Sequence, residues 1–201
     1  EQFGLGVRTE SGLPLESRGI KDYLNLEAAG SAQSALVFAS WGQMGKYTPL
    51  QLTQFSAMLA NKGKRYKPQF VKEIRNYQGE LIETIEPELL NEVEFKEEWW
   101  DLVQSSMVQV WKDARFPIEK AIGKELEELP VTIAAKTGTS TQQVWGGETV
   151  DNASVVSFAP AENPKLAVAV VVPEGGYGAW GAAPIAAKIY EAYEQHIGFE
   201  E

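Results

Sequence analysis

Apolar positions along this chain follow two rhythms, one of helices and one of strands. Between residues 48 and 61, Leu52, Phe55 and Leu59 recur at three- and four-residue spacing with Met58 alongside, the period of a helix with one covered face. Thr48 is a good N-cap, Pro49 suits the first helical position, and Gln51 completes a Thr-x-x-Gln capping box. Gly63, after Asn61 and Lys62, ends that helix. Residues 96–112 predict a second helix, with Glu97 and Glu98 at its positive N-terminal end. Trp99, Val103, Met107, Val110 and Trp111 form its core-facing stripe. Residues 182–197 predict a closing helix, with Ile185, Ile189 and Tyr193 at four-residue spacing.

The strand-like stretches are shorter. Residues 69–75 and 80–85 flank Asn76-Tyr77-Gln78-Gly79, which reads as a hairpin turn. Residues 131–139 and 152–158 are two further strands. Residues 165–172 are apolar at alternate and intervening positions alike, which predicts a central strand covered on both faces. The five residues Pro160-Ala161-Glu162-Asn163-Pro164 suit an antiparallel pairing of the last two strands. Residues 1–40, rich in glycine and small residues, predict loops with one or two short helices. No internal repeat or low-complexity tract interrupts the pattern.

Composition narrows the function classes. The 201 residues are enough for one large domain or two small ones, and 44% are apolar. The net charge is −10, without the clustered Lys and Arg that release counterions from phosphates, which argues against a nucleic-acid partner. With no cysteine, disulfides, thiolate metal sites and cysteine nucleophiles are excluded. No apolar run reaches the ~20 residues of a membrane-spanning helix, and no signal-peptide pattern opens the chain. An opening Glu1-Gln2-Phe3-Gly4 reads as the middle of a domain and predicts a fragment of a longer protein.

The chemistry concentrates at Lys136-Thr137-Gly138-Thr139-Ser140, directly after the apolar Val131-Thr132-Ile133-Ala134-Ala135. Strand alternation points Lys136 and Gly138 one way and Thr137 and Thr139 the other. A lysine there holds positive potential where a carboxylate or oxyanion settles, and when desolvated it can join proton transfer. The threonine hydroxyls can bind a carboxylate, and a free Thr139 N–H can donate to an oxyanion. Gly138 lets another backbone or a ligand approach closely. Lys-[Ser/Thr]-Gly-[Ser/Thr] arises by chance in roughly one chain of this size in a hundred at ordinary residue frequencies. The chain holds no Ser-x-x-Lys and no Ser-x-Asn, so the wall of a site stands without a nucleophile.

Other stretches fall in a familiar order around that motif. They are Phe3-Gly4-Leu5-Gly6 with Gly12-Leu13-Pro14, and Trp41-Gly42-Gln43 with Tyr47-Thr48-Pro49-Leu50-Gln51-Leu52. Residues 64–74 follow, with Pro68 and Val71-Lys72-Glu73-Ile74. Beyond the motif come Phe158-Ala159-Pro160, Asn163-Pro164 and Ala167-Val168-Ala169-Val170. In order and spacing the chain resembles the C-terminal half of a class B penicillin-binding protein transpeptidase domain, and the Tyr-Thr-Pro-Leu-Gln flavour resembles Gram-positive members. The resemblance implies an α/β (α+β) fold, a mainly antiparallel sheet flanked by helices. Residues 1–201 would then be the C-terminal part of one domain, lacking its upstream Ser-x-x-Lys and Ser-x-Asn. It implies a serine that attacks the D-Ala-D-Ala carbonyl of a peptidoglycan stem peptide, and β-lactams that trap that serine. It makes Lys136 the catalytic motif lysine, contacting the serine of the upstream Ser-x-Asn. Thr137, Gly138 and Thr139 become the substrate and β-lactam strand, and the Thr139 N–H half of the oxyanion hole. It implies no cofactor and no metal. The implied partners are the upstream half of the same domain and proteins of cell-wall synthesis, with a parent anchored at the membrane and working outside the cytoplasm. The family often has Gly-Thr-Ala before the motif strand, whereas Asp113-Ala114-Arg115-Phe116-Pro117 stands here.

Further residues are weighed beside the motif. Trp145, with Gly146-Gly147, and the pair Tyr177 and Trp180 can line a cleft or pack as ordinary loop aromatics. His196, the single histidine, suits the end of the last helix and leaves no Ser-His-Asp triad elsewhere. The adjacent pairs Glu97/Glu98 and Glu127/Glu128 face apart and read as solvated faces rather than glycosidase carboxylates. Tyr23-Leu24-Asn25 matches a Tyr-x-Asn by chance. A serine β-lactamase or β-lactam sensor domain shares Lys-Thr-Gly, but Thr-Pro-Leu-Gln argues against it. A non-catalytic scaffold fragment is the third alternative.

Overall fold

The Thr48–Gln51 box forms as the sequence requires. The Gln51 N–H donates to Thr48 Oγ1 at 3.2 Å, and the Thr48 N–H donates to Gln51 Oε1 at 2.9 Å. Helix α3 (Pro49–Ala60) follows, and Gly63 takes a positive φ with its N–H on the Met58 carbonyl. This is a computed structural model, and it describes residues 1–40, 42–144 and 146–200. Trp41 and Trp145 therefore lie outside the described residues. Residues Glu1–Phe55 and Lys64–Val93 cluster as one compact unit, and Ser56–Gly63 with Glu94 onward as a second.

The first unit is built from short pieces. Strand β1 (Ile20–Lys21) pairs antiparallel with β2 (Gly45–Lys46), and between them lie α1 (Leu26–Ala29) and α2 (Ala32–Ser40). Strand β3 (Lys64–Tyr66) pairs with β6 (Leu89–Glu92) around the hairpin of β4 (Glu73–Arg75) and β5 (Leu81–Thr84). The predicted turn at Asn76–Gly79 is present, with the Asn76 N–H on the Glu80 carbonyl. The hairpin strands are shorter than the apolar pattern suggested, and the β3–β6 pairing had no local signal. Buried glutamines organise the Gly-rich opening. Gln51 Nε2 donates to the carbonyls of Val7 (2.6 Å) and Arg18 (3.0 Å), and Gln54 Nε2 to those of Thr9 and Tyr66. One glutamine thus caps a helix and fastens a loop.

The second unit centres on a three-stranded antiparallel sheet in the order β7-β8-β9. Its strands are β7 (Ala134–Gln143), β8 (Thr149–Ala159) and β9 (Leu166–Val172). Helices α4 (Glu97–Asp113), α5 (Arg115–Ile122), α6 (Gly178–Gly181) and α7 (Ala183–His196) complete it. The core gathers Ile118, Ile133, Ala135, Ala153, Val155, Val168 and Tyr190 with an alanine layer, Ala182, Ala183, Ala186 and Ala187, all buried. Behind the sheet, the Tyr190 hydroxyl donates to Ser157 Oγ at 2.8 Å, and the Ser56 hydroxyl to the Ser157 carbonyl at 2.7 Å. Burial pushes the Tyr190 phenol far up, against the opposing Ser157 bond. No helix of the described residues is long and apolar enough to cross a membrane.

Several expectations need correction. Residues 165–172 were expected to form a central strand, but among the described residues β9 pairs with β8 alone and β8 is the middle strand. An apolar run reports covered faces, not hydrogen-bonded edges. On α4 the buried stripe is Trp100, Met107 and Trp111, with Gln104 between them, while Trp99 and Val103 are exposed. On α7 the buried face is Ala183, Ala186, Ala187 and Tyr190, and Ile185 and Ile189 are exposed. Helix α5 was not among the expected elements, and it contains Pro117. That proline is the third residue, in the first turn, where its missing N–H has no intrahelical acceptor.

Two outcomes test this account. Tyr190→Phe removes a buried hydrogen bond and should cost about 1 kcal/mol of unfolding free energy in denaturant titration. In the first unit, burial works against the Glu16 carboxylate, but the Thr9 N–H (2.5 Å) and Ser11 hydroxyl (3.1 Å) outweigh it and hold its pKa below the usual value. A depressed carboxyl stabilises the fold above the unfolded value of about 4.3 and loses that contribution as pH falls through the lower folded value. The acid-side fall in melting temperature should therefore be shallower in Glu16→Gln.

Candidate active site at the edge of the sheet

The motif strand is β7, and among the described residues it is an edge. Its register with β8 runs unbroken from Ala134↔Phe158 to Gln143↔Thr149. No bulge interrupts the alternation, so opposed residues share a face. Thr137 lies opposite Val155 and Thr139 opposite the fully buried Ala153, on the face that carries the core. Lys136 lies opposite Val156 and Gly138 opposite Ser154, on the other face. The lysine and the threonines come from opposite faces and meet only along the strand's outer edge. Lys136 is exposed, and its Nζ donates to the Thr137 carbonyl at 2.5 Å. Thr137 and Gly138 are half-buried, and Thr139 is exposed.

A strap fixes Thr139. The chain leaving β9 crosses the β7–β8 ladder through residues 173–177 before entering α6. The Glu174 N–H donates to Asn152 Oδ1 at 3.0 Å, and the Gly176 N–H to the Asp151 carbonyl at 2.9 Å. The Gly178 N–H then donates to Thr139 Oγ1 at 3.1 Å. Three glycines at three-residue spacing allow this approach. A Cβ on Gly175 would stand 2.8 Å from Val172 Cβ. One on Gly178 would meet the Gly138 carbonyl oxygen, and stand 2.7 Å from Ser154 O and 2.9 Å from Gly138 N. One on Gly181 would meet the Gly175 carbonyl oxygen and stand 2.8 Å from Ala153 Cβ. The Gly-x-x-Gly-x-x-Gly spacing was the signal for this strap, and the reading of Tyr177 and Trp180 passed over it.

The remaining candidates divide. Tyr177 is exposed and directly precedes Gly178. Trp180 packs instead on α5: its ring meets Phe116 edge-on at 5.6 Å, and Lys120 Nζ lies 5.9 Å from its centroid. His196 ends α7 in an exposed position. Glu97 pairs with Lys62, Glu98 with Lys96 at 3.5 Å, and Glu127 with Arg115, while Glu128 closes a capping box on the Glu125 N–H at 2.9 Å. Tyr23 is a hydrogen-bond partner of Tyr47, whose phenol is pushed far up by burial and by that contact. Among the described residues, no three His, Cys, Asp or Glu side chains are grouped as a metal site.

A family model, the penicillin binding protein transpeptidase domain, matches residues 1–191. Penicillin-binding protein 2A of Bacillus subtilis is 35% identical over 183 residues, covering 86% of this chain and 24% of that protein. The structure of penicillin-binding protein 2B from Streptococcus pneumoniae superposes with a TM-score of 0.79 at 30% identity, over 100% of this chain and 32% of the other. A ceftriaxone acyl-enzyme complex of penicillin-binding protein A from M. tuberculosis gives 0.76 at 28% identity, over 95% of this chain and 41% of the other. The chain thus spans about a quarter of the length of the curated relative, and 32% and 41% of the two solved chains. The mixed helical and antiparallel-sheet fold is that of these transpeptidase structures.

Crowding at the motif is testable. A Cβ on Gly138 would lie 2.6 Å from Ser154 Oγ but 4.0 Å from Ser154 Cβ. Gly138→Ala should lose about 1 kcal/mol as the serine side chain gives way. Adding Ser154→Ala should recover most of that loss in thermal denaturation.

Proposed function

Because the chain belongs to the penicillin-binding protein transpeptidase-domain family, we propose that it is the C-terminal part of a peptidoglycan D,D-transpeptidase domain. The observation that carries the reading is the placement of Lys136–Thr139 on an edge strand, with Lys136 and Thr139 exposed along one open margin. The nucleophile is a serine in the upstream half of the same domain. Its oxygen bonds to the carbonyl carbon of the penultimate D-Ala of a stem peptide, the C–N bond breaks, and D-Ala leaves with a proton on its amine. An amine of a neighbouring stem peptide then attacks the ester, forms the cross-link and returns the proton to the serine. A β-lactam enters the first step and stays on the serine.

In this reading Lys136 is a catalytic residue that holds the upstream serines in a positive field. Thr137 and Thr139 hold the terminal carboxylate of the stem peptide or drug, and Gly138 lets the ligand lie against the strand. The Thr139 N–H supplies half of the oxyanion hole, and the nucleophile's own N–H the other half. Tyr177 borders the cleft, whereas Trp180, packed on α5, belongs to the scaffold. The relative of known structure that carries ceftriaxone as an acyl-enzyme supports β-lactams as ligands. The parent protein works outside the cytoplasm, anchored upstream of this chain, among other proteins of wall synthesis.

Labelling with a fluorescent penicillin tests this. The isolated chain should give no covalent band, and the full-length protein should give one. Lys136→Ala in the full-length protein should slow labelling by about a hundredfold or more, the scale of a lost electrostatic stabiliser. A band on the isolated chain overturns the upstream nucleophile. An unlabelled full-length protein makes the domain a scaffold.

A further inference from the structure

We infer that the strap before α6 is a positioning element, and that the Gly178 N–H turns Thr139 into a hydrogen-bond donor aimed at an anionic ligand. The inference rests on the assignment of Thr139 to the carboxylate clamp and goes beyond it. A hydroxyl carries one proton and two lone pairs. At Thr139 one lone pair accepts the Gly178 N–H at 3.1 Å. That N–H sits at the start of α6, where the helix has no internal acceptor for it. The bond thus satisfies an orphan donor and pushes the Thr139 proton away from the strap. Thr139 is exposed, so the proton is presented to whatever lies along the edge of β7. A carboxylate, which only accepts, is the ligand group that such a hydroxyl selects.

The arrangement is fixed at both ends. Upstream, the Asn152 side chain holds the Glu174 N–H, and the Asp151 carbonyl holds the Gly176 N–H. Downstream, Gly178 lies on the backbone of Gly138 and Ser154, where no larger residue fits. Gly178 touches no ligand itself. It acts through Thr139, and Asn152 acts through the strap.

The experiment compares a penicillin with its methyl ester in the full-length protein, following acylation by each. The two compounds share ring and side chain and differ in the carboxylate. Thr139→Val and Gly178→Ala should each slow acylation by the free acid about tenfold and by the ester less than about twofold, the scale of one hydrogen bond to a charged group. The double variant should be no slower than either single one. Asn152→Leu, which leaves every glycine contact in place, should slow the acid selectively, and Asn152→Asp, which still accepts the Glu174 N–H, should restore it. If Gly178→Ala does not fold, the Asn152 pair decides by the same comparison. Equal losses for acid and ester, or no loss, in a folded Gly178→Ala or in Asn152→Leu overturn the positioning role. No acid-selective loss in Thr139→Val instead overturns the carboxylate clamp.

Discussion

Nothing larger than a hydrogen atom fits between the start of α6 and the β7–β8 ladder. That steric limit at Gly178 organises the second unit around the motif. With backbone against backbone, the Gly178 N–H comes within reach of the Thr139 hydroxyl. The same closeness continues along the chain. Gly181 meets Ala153 of β8, and Ala182 at the N-cap and Ala183, Ala186 and Ala187 of the following helix line the buried face. Each added methylene in such a layer costs about 1–3 kcal/mol. The small residues are therefore not a weak core; they set the distance between helix and sheet, and through it the position of the strap.

The second determinant is register. Ten opposed pairs between β7 and β8, without a shift, fix which motif side chains share a face. A slip of one residue would exchange the faces of Lys136 and Thr139 and bury the wrong groups. The middle strand is held from behind by Ser157, which accepts the Tyr190 hydroxyl at its side chain and the Ser56 hydroxyl at its carbonyl. Ser157 is the cross-strand partner of Ala135, next to Lys136. A buried, fully partnered polar contact thus lies one position from the exposed lysine that the proposed chemistry uses.

Features written in local chemistry were legible in the sequence. The Thr48–Gln51 box, the Asn76–Gly79 turn and the Lys136–Thr139 strand each depend on residues a few positions apart. The helical stripes were misplaced for identifiable reasons. On α4 the buried face includes Gln104, whose Nε2 donates to the carbonyls of Leu59 at 2.9 Å and Ala60 at 3.4 Å, at the C-terminal end of α3. A half-buried amide that satisfies helix-end carbonyls is invisible to a count of apolar residues. On α7 the isoleucines outweigh the alanines in hydrophobicity, yet Ala183, Ala186 and Ala187, with Tyr190, take the buried face. The strap depended on long-range contact, and its trace in sequence was three glycines whose need is for space, since none takes a positive φ.

The two edges of the sheet differ in kind. Along β7 the residues from Lys136 to Gln143 are polar apart from Gly138, and the strand carries a lysine, a usual means of discouraging pairing with another strand. Along β9 all seven residues are Leu, Ala or Val, and none is charged. An apolar edge of that length invites strand pairing unless it is covered. A polar edge carrying a cation and hydroxyls instead holds its groups ready for a polar ligand. The asymmetry supports assigning chemistry to β7 and the completion of the domain to other margins. It also explains why the apolar run of β9 read as a central strand: its side chains have the composition of a sheet interior, while its hydrogen-bonding edge, among the described residues, has β8 on one side alone.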